Sequence, residues 1–575
     1  EPRLHLKHVL QTVCVLESVI LRSFGPEGGQ VLFIRDTGQA MLSRSGARIL
    51  AALRLEHPLA RMVVECVLKH SIITGDGSKT FILLLASLLR MIHATACKES
   101  NVSQTYSSRD AAEAATARHL ADELLVFALE KLGDLIAFGV VPYGCCLSWE
   151  DFTAKTQLPA QTNNHCVQKV LASFFRSRLG HTHCDFFSNL TCELLTQFKN
   201  NQPSLSLQFV NDNLPALHTP VSGFPISCSR LIEGQIIHRD FATPCPKTDH
   251  QPVKAVVFTG YLQRKLLIAG EVLELECGNI AQFNAWAERS LECVIANLQS
   301  LGISVLLSAV KQSAAVLALA SQADMCIVEC VSEDELSLFS FLFLVGLING
   351  RHVFSLFHRY VHVAFHDSEE RVMVTPCSLV ICGPGEGHTD QYVCAFRDAI
   401  RMLLSTWETL QSNKSTSLHT ENQLPDAAPF QQCVLEPGCV IPAGGTFEFL
   451  LNHVLLQHGR SSSISHDTNM GIPAVSQLLA KALLSVPRQI YFHSPRCFLQ
   501  TQTRLLKDDV SSKNFILDLG LESVSCKYQL LLSVLQCVSS LLRVDTMLCT
   551  HTALHTQSRR LANISWEDTE DEAEE

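Results

Sequence analysis

Apolar residues at the start of the chain recur at intervals of three and four positions. Over Leu6–Leu21 this spacing predicts a first helix, which the glycines and proline of "SFGPEGG" should end. Two short apolar runs then flank "RDTG" and predict a β-hairpin over Gln30–Leu42. Helical periodicity returns over Gly46–Ala96 and, after the polar stretch "KESNVSQTYSSRD", over Ala111–Phe138. The first quarter of the chain is therefore predicted to be helical apart from one hairpin.

The middle of the chain has a different pattern. Between Ser222 and Phe365, β-rich runs such as "ISVLLSAV", "ADMCIVECV" and "YVHVAF" alternate with helical segments, which predicts an α/β domain with parallel pairing. Helical patterns resume after "CSLVICGPGEG" and near Thr446, and a last strong helix is predicted over Ser525–Leu542. Gln411–Gln432 has few large apolar residues, which predicts a flexible linker or loop. Helical ends that enclose an α/β middle favour one discontinuous helical domain with an insertion.

Composition restricts the class of protein. A chain of 575 residues is too long for one core, and 47% apolar against 18% charged residues indicates a folded protein. The net charge of -11, with no basic stripe, gives no support to a nucleic-acid partner. The 23 scattered cysteines lack paired CxxC spacing, which favours free thiols in a reducing cytoplasm over a disulfide framework or zinc ribbon. The longest apolar run, Leu336–Ile348, is too short to cross a bilayer, so we do not expect an integral membrane protein.

A glycine-rich hexamer, Gly75–Thr80 ("GDGSKT"), precedes an almost wholly apolar run. Backbone N–H groups at the start of a helix attract phosphate, and glycines allow the ligand to approach closely. A Walker A loop needs glycine immediately before its lysine, whereas Ser78 precedes Lys79 here, so the hexamer is not a P-loop. The residues alone leave two readings open: a phosphate-binding loop, or a turn that starts a buried helix and binds nothing.

Five segments, in the same order along the chain, resemble the group II chaperonin (TCP-1/cpn60-like) family. "FGPEGG" resembles the phosphate-contacting turn after the family's first helix, and "GDGSKT" resembles its GDGTTT phosphate and magnesium loop. "SGFPISCSRLIEGQIIHRDF" resembles the entry to the apical domain, and "VIPAGGTFEFLL" resembles the second segment of the nucleotide pocket. "GLESVSCKYQLLLSVLQCVSSLLRVDTML" resembles the final helix. The resemblance implies an α/β multidomain subunit with a helical equatorial domain, a small intermediate domain and an α/β apical domain.

The resemblance also implies where the domains begin and end. The equatorial and intermediate domains are each expected to be split in the sequence, with the apical domain inserted between their halves. The expected segments are equatorial 1–145, intermediate 146–219, apical 220–370, intermediate 371–410, a flexible linker 411–432, equatorial 433–564 and an acidic tail 565–575.

ATP and magnesium are the cofactors that the resemblance implies. The positions that match the family's nucleotide contacts are Gly25, Pro26, Gly75, Asp76, Gly77, Ser78, Lys79, Thr80, Gly444 and Gly445. Among them, Asp76 matches the magnesium ligand. Lys79 replaces a hydroxyl residue of the family, and its charge either holds the phosphates or occupies the space of the metal. Ala443 replaces the first glycine of the family's triplet.

The catalytic positions match less well. The family's first catalytic aspartate lies in NDGATIL, which aligns with "RSGARIL" and places Ser45 at that position. A hydroxyl cannot act as a carboxylate base, and its loss costs about 10²- to 10⁴-fold in rate. The second catalytic aspartate matches Asp398, which either retains that role or is a solvated helix position. The resemblance therefore implies a degenerate ATPase that binds nucleotide and hydrolyses it weakly or not at all.

Within the family, the chain is similar to the Bardet–Biedl syndrome branch of chaperonin-like proteins. That branch is implicated in assembling the BBSome, a coat complex that carries membrane proteins to cilia. The implied role is an assembly factor in the cytoplasm and at the ciliary base. Its implied partners are other chaperonin-like proteins of this branch and cytosolic chaperonin subunits, with BBSome subunits as clients. Two alternatives stay open, an active ATP-driven folding chaperone and a structural interaction protein that binds no nucleotide.

The family uses its N-terminal hairpin, here Gln30–Leu42, in contacts between neighbouring subunits. Addition of a strand across an interface is a simple physical mechanism for such a contact. The alternative is a hairpin that only covers its own core.

Overall fold

The computed structural model describes most of the chain, with gaps. The described residues are 6–25, 28–34, 38, 40–100, 106–147, 166–198, 203–244, 254–262, 279–343, 347–348, 377–407, 436–464, 471–506 and 520–545. The predicted strand "YVHVAF", the predicted linker Gln411–Gln432 and the acidic tail 565–575 lie outside them.

The first part of the chain is helical apart from one hairpin, as predicted. Its elements are α1 (Leu6–Leu21), β1 (Val31–Ile34), β2 (Ala40–Ser43), α2 (Gly46–Ala51), α3 (Pro58–Thr74), α4 (Ser78–Ser100), α5 (Tyr106–Phe127), a π-helical turn (Ala128–Leu132), α6 (Gly133–Gly139) and β3 (Cys145–Cys146). Strands β1 and β2 pair antiparallel, with Leu32 opposite Leu42. The predicted hairpin is therefore confirmed.

Three helices lead into the α/β middle. The elements up to the last parallel strand are α7 (Cys166–Leu179), α8 (Cys184–Gln197), α9 (Pro203–Leu217), β4 (His218–Ser222), β5 (Arg230–Glu233), β6 (Lys254–Phe258), α10 (Asn279–Ser300), β7 (Ile303–Ser308), α11 (Ala314–Gln322), β8 (Cys326–Val328), α12 (Glu333–Phe343) and β9 (Leu347–Ile348). Strands β8, β7, β6 and β9 form one sheet in that order, and all of its pairs are parallel. The predicted α/β segment with parallel pairing is confirmed.

The chain then returns to helices. The remaining elements are β10 (Cys377–Gly383), α13 (Glu386–Trp407), β11 (Cys439–Pro442), α14 (Thr446–Ile464), α15 (Gly471–Leu483), α16 (Ser485–Ile490), α17 (Pro495–Leu506), β12 (Leu521–Ser523) and α18 (Val524–Leu542). Strand β10 joins β4 and β5 in a small mixed sheet. Strand β11 lies between β12 and β3, so a three-stranded antiparallel sheet joins the two ends of the chain.

One apolar core contains residues from both ends of the chain. It is built from α1 to α6 together with β11 and α14 to α18, and Val13, Leu85 and Val534 are among its fully buried members. A second core packs α7 to α9 against α13, and two small clusters cover the faces of the parallel sheet. The two helical ends of the chain therefore pack into one core, and the α/β segment is inserted between them. The exact domain boundaries stay predictions.

Helix α4 supplies much of the first core. Its segment Ser78–Lys98 is long and apolar enough to cross a membrane, but 61% of it is buried inside the protein. Phe81, Ile82 and Leu85 are completely inaccessible to solvent. Burial of this extent is that of a core helix, because its apolar surface already has protein partners.

Candidate functional site

A cavity of about 740 Å³ lies where the two ends of the chain meet. Its wall includes the turn after α1, the glycine loop between α3 and α4, and the last two turns of α7. The opposite side comes from Ala443 and Gly444, from residues 489–494 and from residues 521–523. Segments more than 350 residues apart in sequence therefore form one pocket, as the resemblance implies.

The glycine loop adopts a backbone conformation that requires its glycines. Gly75 ends α3 with φ 67°, and Gly77 has φ 81°. A Cβ atom on Gly75 would lie 2.0 Å from the backbone oxygen of Asp398, and one on Gly77 would lie 3.1 Å from Nε2 of His70. Gly75 is thus the point at which the loop packs directly on α13, and the close approach excludes any side chain there.

Helix α4 begins at the cavity. Its first residues, Ser78, Lys79 and Thr80, line the pocket. The backbone N–H of Phe81 donates to the carbonyl oxygen of Gly77 (2.8 Å), which joins the start of the helix to the glycine loop. The first N–H groups of a helix have no partner within the helix, and together with the helix dipole they attract anions. The loop therefore serves both readings: it starts a buried helix and it presents a helix N-terminus to the cavity.

Arg178, at the end of α7, connects the two carboxylates of the site. Its Nη2 donates to the Gly75 carbonyl oxygen (2.8 Å) and to Asp76 Oδ1 (3.2 Å), while Nη1 lies 3.9 Å from Asp398 Oδ2. The guanidinium carbon is 5.1 Å from the centroid of the Phe174 ring. The side chain is only 5% exposed, so Arg178 is fixed by contacts on several sides.

Asp398 is largely withdrawn from solvent, with 15% of its side chain accessible. Burial raises its pKa to about 6, although Arg178 and Arg401 act in the opposite direction. The interpretation of Asp398 as a solvated helix position is therefore wrong. Its carboxylate belongs to the site through Arg178.

Lys79 is a second cation at the pocket. Its Nζ donates a hydrogen bond to the carbonyl oxygen of Ser23, in the turn after α1. Burial lowers its pKa to about 7, and the positive charge of Arg178 adds to that effect, while Asp76 opposes it. The lysine thus connects the turn after α1 to the glycine loop.

Ser45 precedes Gly46, which packs on Lys79, and the backbone N–H of Ser45 donates to Oγ of Ser43 (3.0 Å). It is the residue before α2, its side chain does not cap that helix, and Oγ has no hydrogen-bond partner among the described residues. A Cβ on the next residue, Gly46, would lie 2.6 Å from Cγ of Lys79 and 2.8 Å from Oγ of Ser78. The position that aligns with the family's catalytic aspartate is therefore one residue from a contact with the glycine loop, outside the lining of the cavity, and it carries no charge.

A buried ionic triad forms another part of the wall. Nζ of Lys527 lies 2.9 Å from a carboxylate oxygen of Glu448 and 2.9 Å from one of Glu522. Burial alone would lower the pKa of Lys527, but the two carboxylates outweigh it and raise that pKa. Burial raises the pKa of Glu522. The triad joins α14, β12 and α18, and both Lys527 and Glu522 line the cavity.

The structure brings most of the expected nucleotide positions together. Seven of them line the cavity: Gly25, Asp76, Gly77, Ser78, Lys79, Thr80 and Gly444. Gly75 lies behind the loop against α13, and Gly445 lies behind Gly444, where an added Cβ would be 2.9 Å from Pro487. Pro26 is outside the described residues. Gly75 and Gly445 are therefore required by packing, whereas the seven lining positions face the cavity.

Sequence reasoning missed Arg178, Phe174 and the triad. Arg178 belongs to "RSRLG", in which two arginines end a helix, and that pattern is typical of a solvated helix end. No signal in the sequence distinguishes the buried Arg178 from the neighbouring Arg176. Only the packing of α7 against the glycine loop does so.

Comparisons with known proteins agree with this geometry. The family model described as the TCP-1/cpn60 chaperonin family matches residues 16–132, which include the hairpin and the glycine loop. The BBSome complex assembly protein BBS10 of Homo sapiens is 25% identical over 99% of this chain and 98% of its own length. The chain is thus similar to the chaperonin family, through its residues 16–132, and to a chaperonin-like assembly protein over nearly its whole length. Its resemblance to the family, stated from five motifs, is confirmed.

Further relatives support the same conclusion. The mouse BBSome complex assembly protein BBS10 is 26% identical over 94% of this chain and 96% of its own length. The T-complex protein 1 subunit alpha of Arabidopsis thaliana is 23% identical over 38% of this chain. A group III chaperonin in the open state has a TM-score of 0.62 with 15% identity, and the match covers 94% of this chain. The predicted chaperonin-like fold is confirmed by this structural likeness.

The lining of the cavity has more features that suit an anion than features that suit a metal. Gly77 and Gly444, both with positive φ, line the cavity together with the start of α4, Lys79 and Arg178. Asp76, in contrast, already accepts a hydrogen bond from Arg178, and Lys79 lies on the same loop. A magnesium ion at Asp76 would stand among these positive charges. The arrangement therefore does not fit the magnesium that the resemblance implies.

Proposed function

We propose that this chaperonin-like chain is an assembly factor for the BBSome. The observation that carries the proposal is the alignment with BBSome complex assembly proteins from three mammals over nearly the whole chain. Relatives of the T-complex protein 1 type align over much shorter stretches. The proposed clients are BBSome subunits, and the proposed location is the cytoplasm, including the ciliary base.

The pocket is proposed to bind ATP as a structural ligand, with weak or no hydrolysis. A nucleotide supplies a phosphate chain that the loop at Gly77–Thr80 and the cations Lys79 and Arg178 contact from two sides. Hydrolysis needs a base for the attacking water, and the position of the first catalytic aspartate is the uncharged Ser45. Asp398, at the second catalytic position, lies 3.9 Å from Arg178, which holds its carboxylate in an ion pair.

Nucleotide binding is tested by melting the purified chain with and without ATP. A ligand that binds only the folded state stabilises it by about 2.7 kcal/mol at a hundredfold excess over its dissociation constant. We expect a higher melting temperature with ATP and little or no phosphate release. No shift at millimolar ATP, in protein shown to be folded, would favour the interaction protein that binds no nucleotide.

Turnover separates the assembly factor from an active folding chaperone. Ser45→Asp restores the family's carboxylate, and we expect it to raise the low rate of phosphate release. Ser45→Ala is the matched control, because the hydroxyl that it removes makes no hydrogen bond among the described residues. Rapid hydrolysis by the unaltered chain would favour the folding chaperone.

The assembly role is tested in cells from which the chain has been removed. BBSome subunits should then fail to migrate as one large complex in a native size separation, and re-expression of the chain should restore the complex. The proposed partners, other chaperonin-like proteins of the Bardet–Biedl branch and cytosolic chaperonin subunits, should co-purify with the tagged chain. Normal BBSome size without the chain would contradict the proposal.

A further inference from the structure

The positive charges of the pocket belong to the protein itself. Arg178 lies between Asp76 and Asp398, at 3.2 Å from one carboxylate and 3.9 Å from the other. Its side chain is 5% exposed, and it is also bound to the Gly75 carbonyl and stacked near Phe174. The guanidinium cannot withdraw from Asp76 without giving up these contacts. It is therefore a fixed charge and not a mobile surface group.

Lys79 is the second cationic side chain, and it is charged below the pKa of about 7 to which burial lowers it. Its Nζ is bonded to the Ser23 carbonyl across the cavity, and its Cγ packs against Gly46 closely enough to exclude a Cβ there. The lysine thus points along the gap between the turn after α1 and the start of α4. A phosphate chain that contacts both turns passes this ammonium group.

We propose that the pocket binds the phosphates of a nucleoside triphosphate without a divalent metal, with Arg178 and Lys79 in place of the metal. The inference rests on the proposed nucleotide binding and deepens it. A divalent ion beside Asp76 would meet two neighbouring cations and would share a carboxylate that already accepts a hydrogen bond from Arg178. The triphosphate alone, in contrast, brings negative charge to two cations and a helix N-terminus.

The charge balance supports the same conclusion. Asp76 and Asp398 carry two negative charges, and Arg178 and Lys79 together balance them. Arginine and lysine donate charge-assisted hydrogen bonds to phosphate oxygens without any change in coordination number or geometry. A metal would add positive charge beside carboxylates that the protein's own cations already neutralise. No unbalanced charge is therefore left among these four side chains to hold a divalent ion at Asp76.

The test measures the affinity of the full chain for ATP by calorimetry, once in excess EDTA and once in magnesium chloride. We expect the dissociation constant in EDTA to be equal to or lower than that in magnesium chloride, because magnesium competes with the protein's own cations for the phosphates. A pocket that holds its nucleotide through a metal at Asp76 would lose about a hundredfold or more in EDTA.

Lys79→Thr introduces the family's hydroxyl type and removes one of the two cations. We expect its affinity for ATP in EDTA to fall by about tenfold or more, since one charge-assisted contact is lost. Magnesium should recover part of that loss. Lys481→Thr is the matched control, because Lys481 is an exposed lysine on α15. Its affinity should equal that of the unaltered chain in both buffers.

Arg178→Lys keeps a positive charge at position 178, so the carboxylates of Asp76 and Asp398 are not left without a cation and the variant is expected to fold. We expect this variant to bind ATP in EDTA, with a lower affinity because the lysine cannot bridge Asp76 and Asp398. Binding only in magnesium, by the unaltered chain, would overturn the inference and leave the proposed nucleotide binding intact. Unchanged affinity of a folded Lys79→Thr variant in EDTA would also overturn it. No binding in either buffer would overturn the proposed nucleotide binding as well.

Discussion

At the scale of single residues, His70 lies directly beneath the glycine loop. It is 4% exposed, and its Nε2 is 3.2 Å from Oγ1 of Thr74. Burial lowers its pKa to about 4 from an ordinary value of 6.5. A lowered pKa in the folded state contributes stability that is complete above pH 6.5 and is lost as the pH falls toward 4.

We therefore expect the free energy of unfolding to fall by up to about 3 kcal/mol on this account between pH 7 and pH 4. His70→Gln should flatten that part of the profile, because glutamine still reaches Thr74 but does not ionise in this range. Urea unfolding at a series of pH values measures both. The control is the exposed His57, changed to Gln. Parallel profiles for His70→Gln and the unaltered chain would contradict the prediction.

Gly75 allows a test of close packing with a matched control. Gly75→Ala places a Cβ 2.0 Å from the Asp398 carbonyl, in addition to the strain at φ 67°. Gly223 has a similar φ of 89°, but a Cβ there meets none of the described atoms within 4 Å. We expect Gly223→Ala to cost about 1 kcal/mol and Gly75→Ala at least about 3 kcal/mol, measured by chemical unfolding. Equal costs would mean that the loop moves away from α13.

At the scale of elements, the β1–β2 hairpin has one apolar surface without a partner among the described residues. Leu32 and Ile34 on β1 are 62% and 72% exposed, whereas Met41 on β2 is 3% exposed. Strand β2 therefore covers the core, and β1 is an outer strand with solvent-facing apolar side chains. Exposed apolar groups on an edge strand favour pairing with another chain.

Leu32→Pro removes a backbone N–H from β1 and fixes its φ, and we expect it to release the proposed chaperonin partners. Leu32→Thr keeps the β propensity and is the matched control. Affinity purification of tagged variants measures partner recovery, and circular dichroism checks that the rest of the chain is folded. Full recovery of partners with the proline variant would favour the alternative, a hairpin that only covers its own core.

At the scale of the whole molecule, the ends of the segment that contains Gln411–Gln432 meet in the structure. The backbone N–H of Gly438 donates to the carbonyl oxygen of Thr406 at 2.8 Å. A shorter connection can therefore close the same gap. The composition of this segment gives no apolar core that its removal would destroy.

We expect deletion of Gln411–Gln432 to leave the melting temperature unchanged or slightly higher. A shorter loop loses less entropy on closure, by about 1 kcal/mol for this change in length. Differential scanning calorimetry of the deletion variant measures the effect. A melting temperature lower by many degrees would show that the segment contributes to the fold.

The sequence by itself determined the elements and the family. Helices α1, α4 and α18 and the hairpin were predictable because periodicity is local, and each element shows its buried face in its own residues. The glycine loop was predictable for the same reason, since positive φ restricts the residue type at Gly75 and Gly77. Five such segments in order were sufficient to predict the chaperonin-like fold, and seven of the ten expected nucleotide positions line one cavity.

Only the tertiary structure decided the electrostatics of the site. Arg178 resembles any arginine at a helix end until α7 packs against the loop about a hundred residues earlier in the chain. Asp398 reads equally well as solvated, and its burial depends on the contact between α13 and Gly75. The physical reason is that a pKa and an ion pair depend on distance and desolvation, which residues remote in sequence create together. The positions of the charged residues along the chain are known from the sequence, but packing decided which of them neutralise one another.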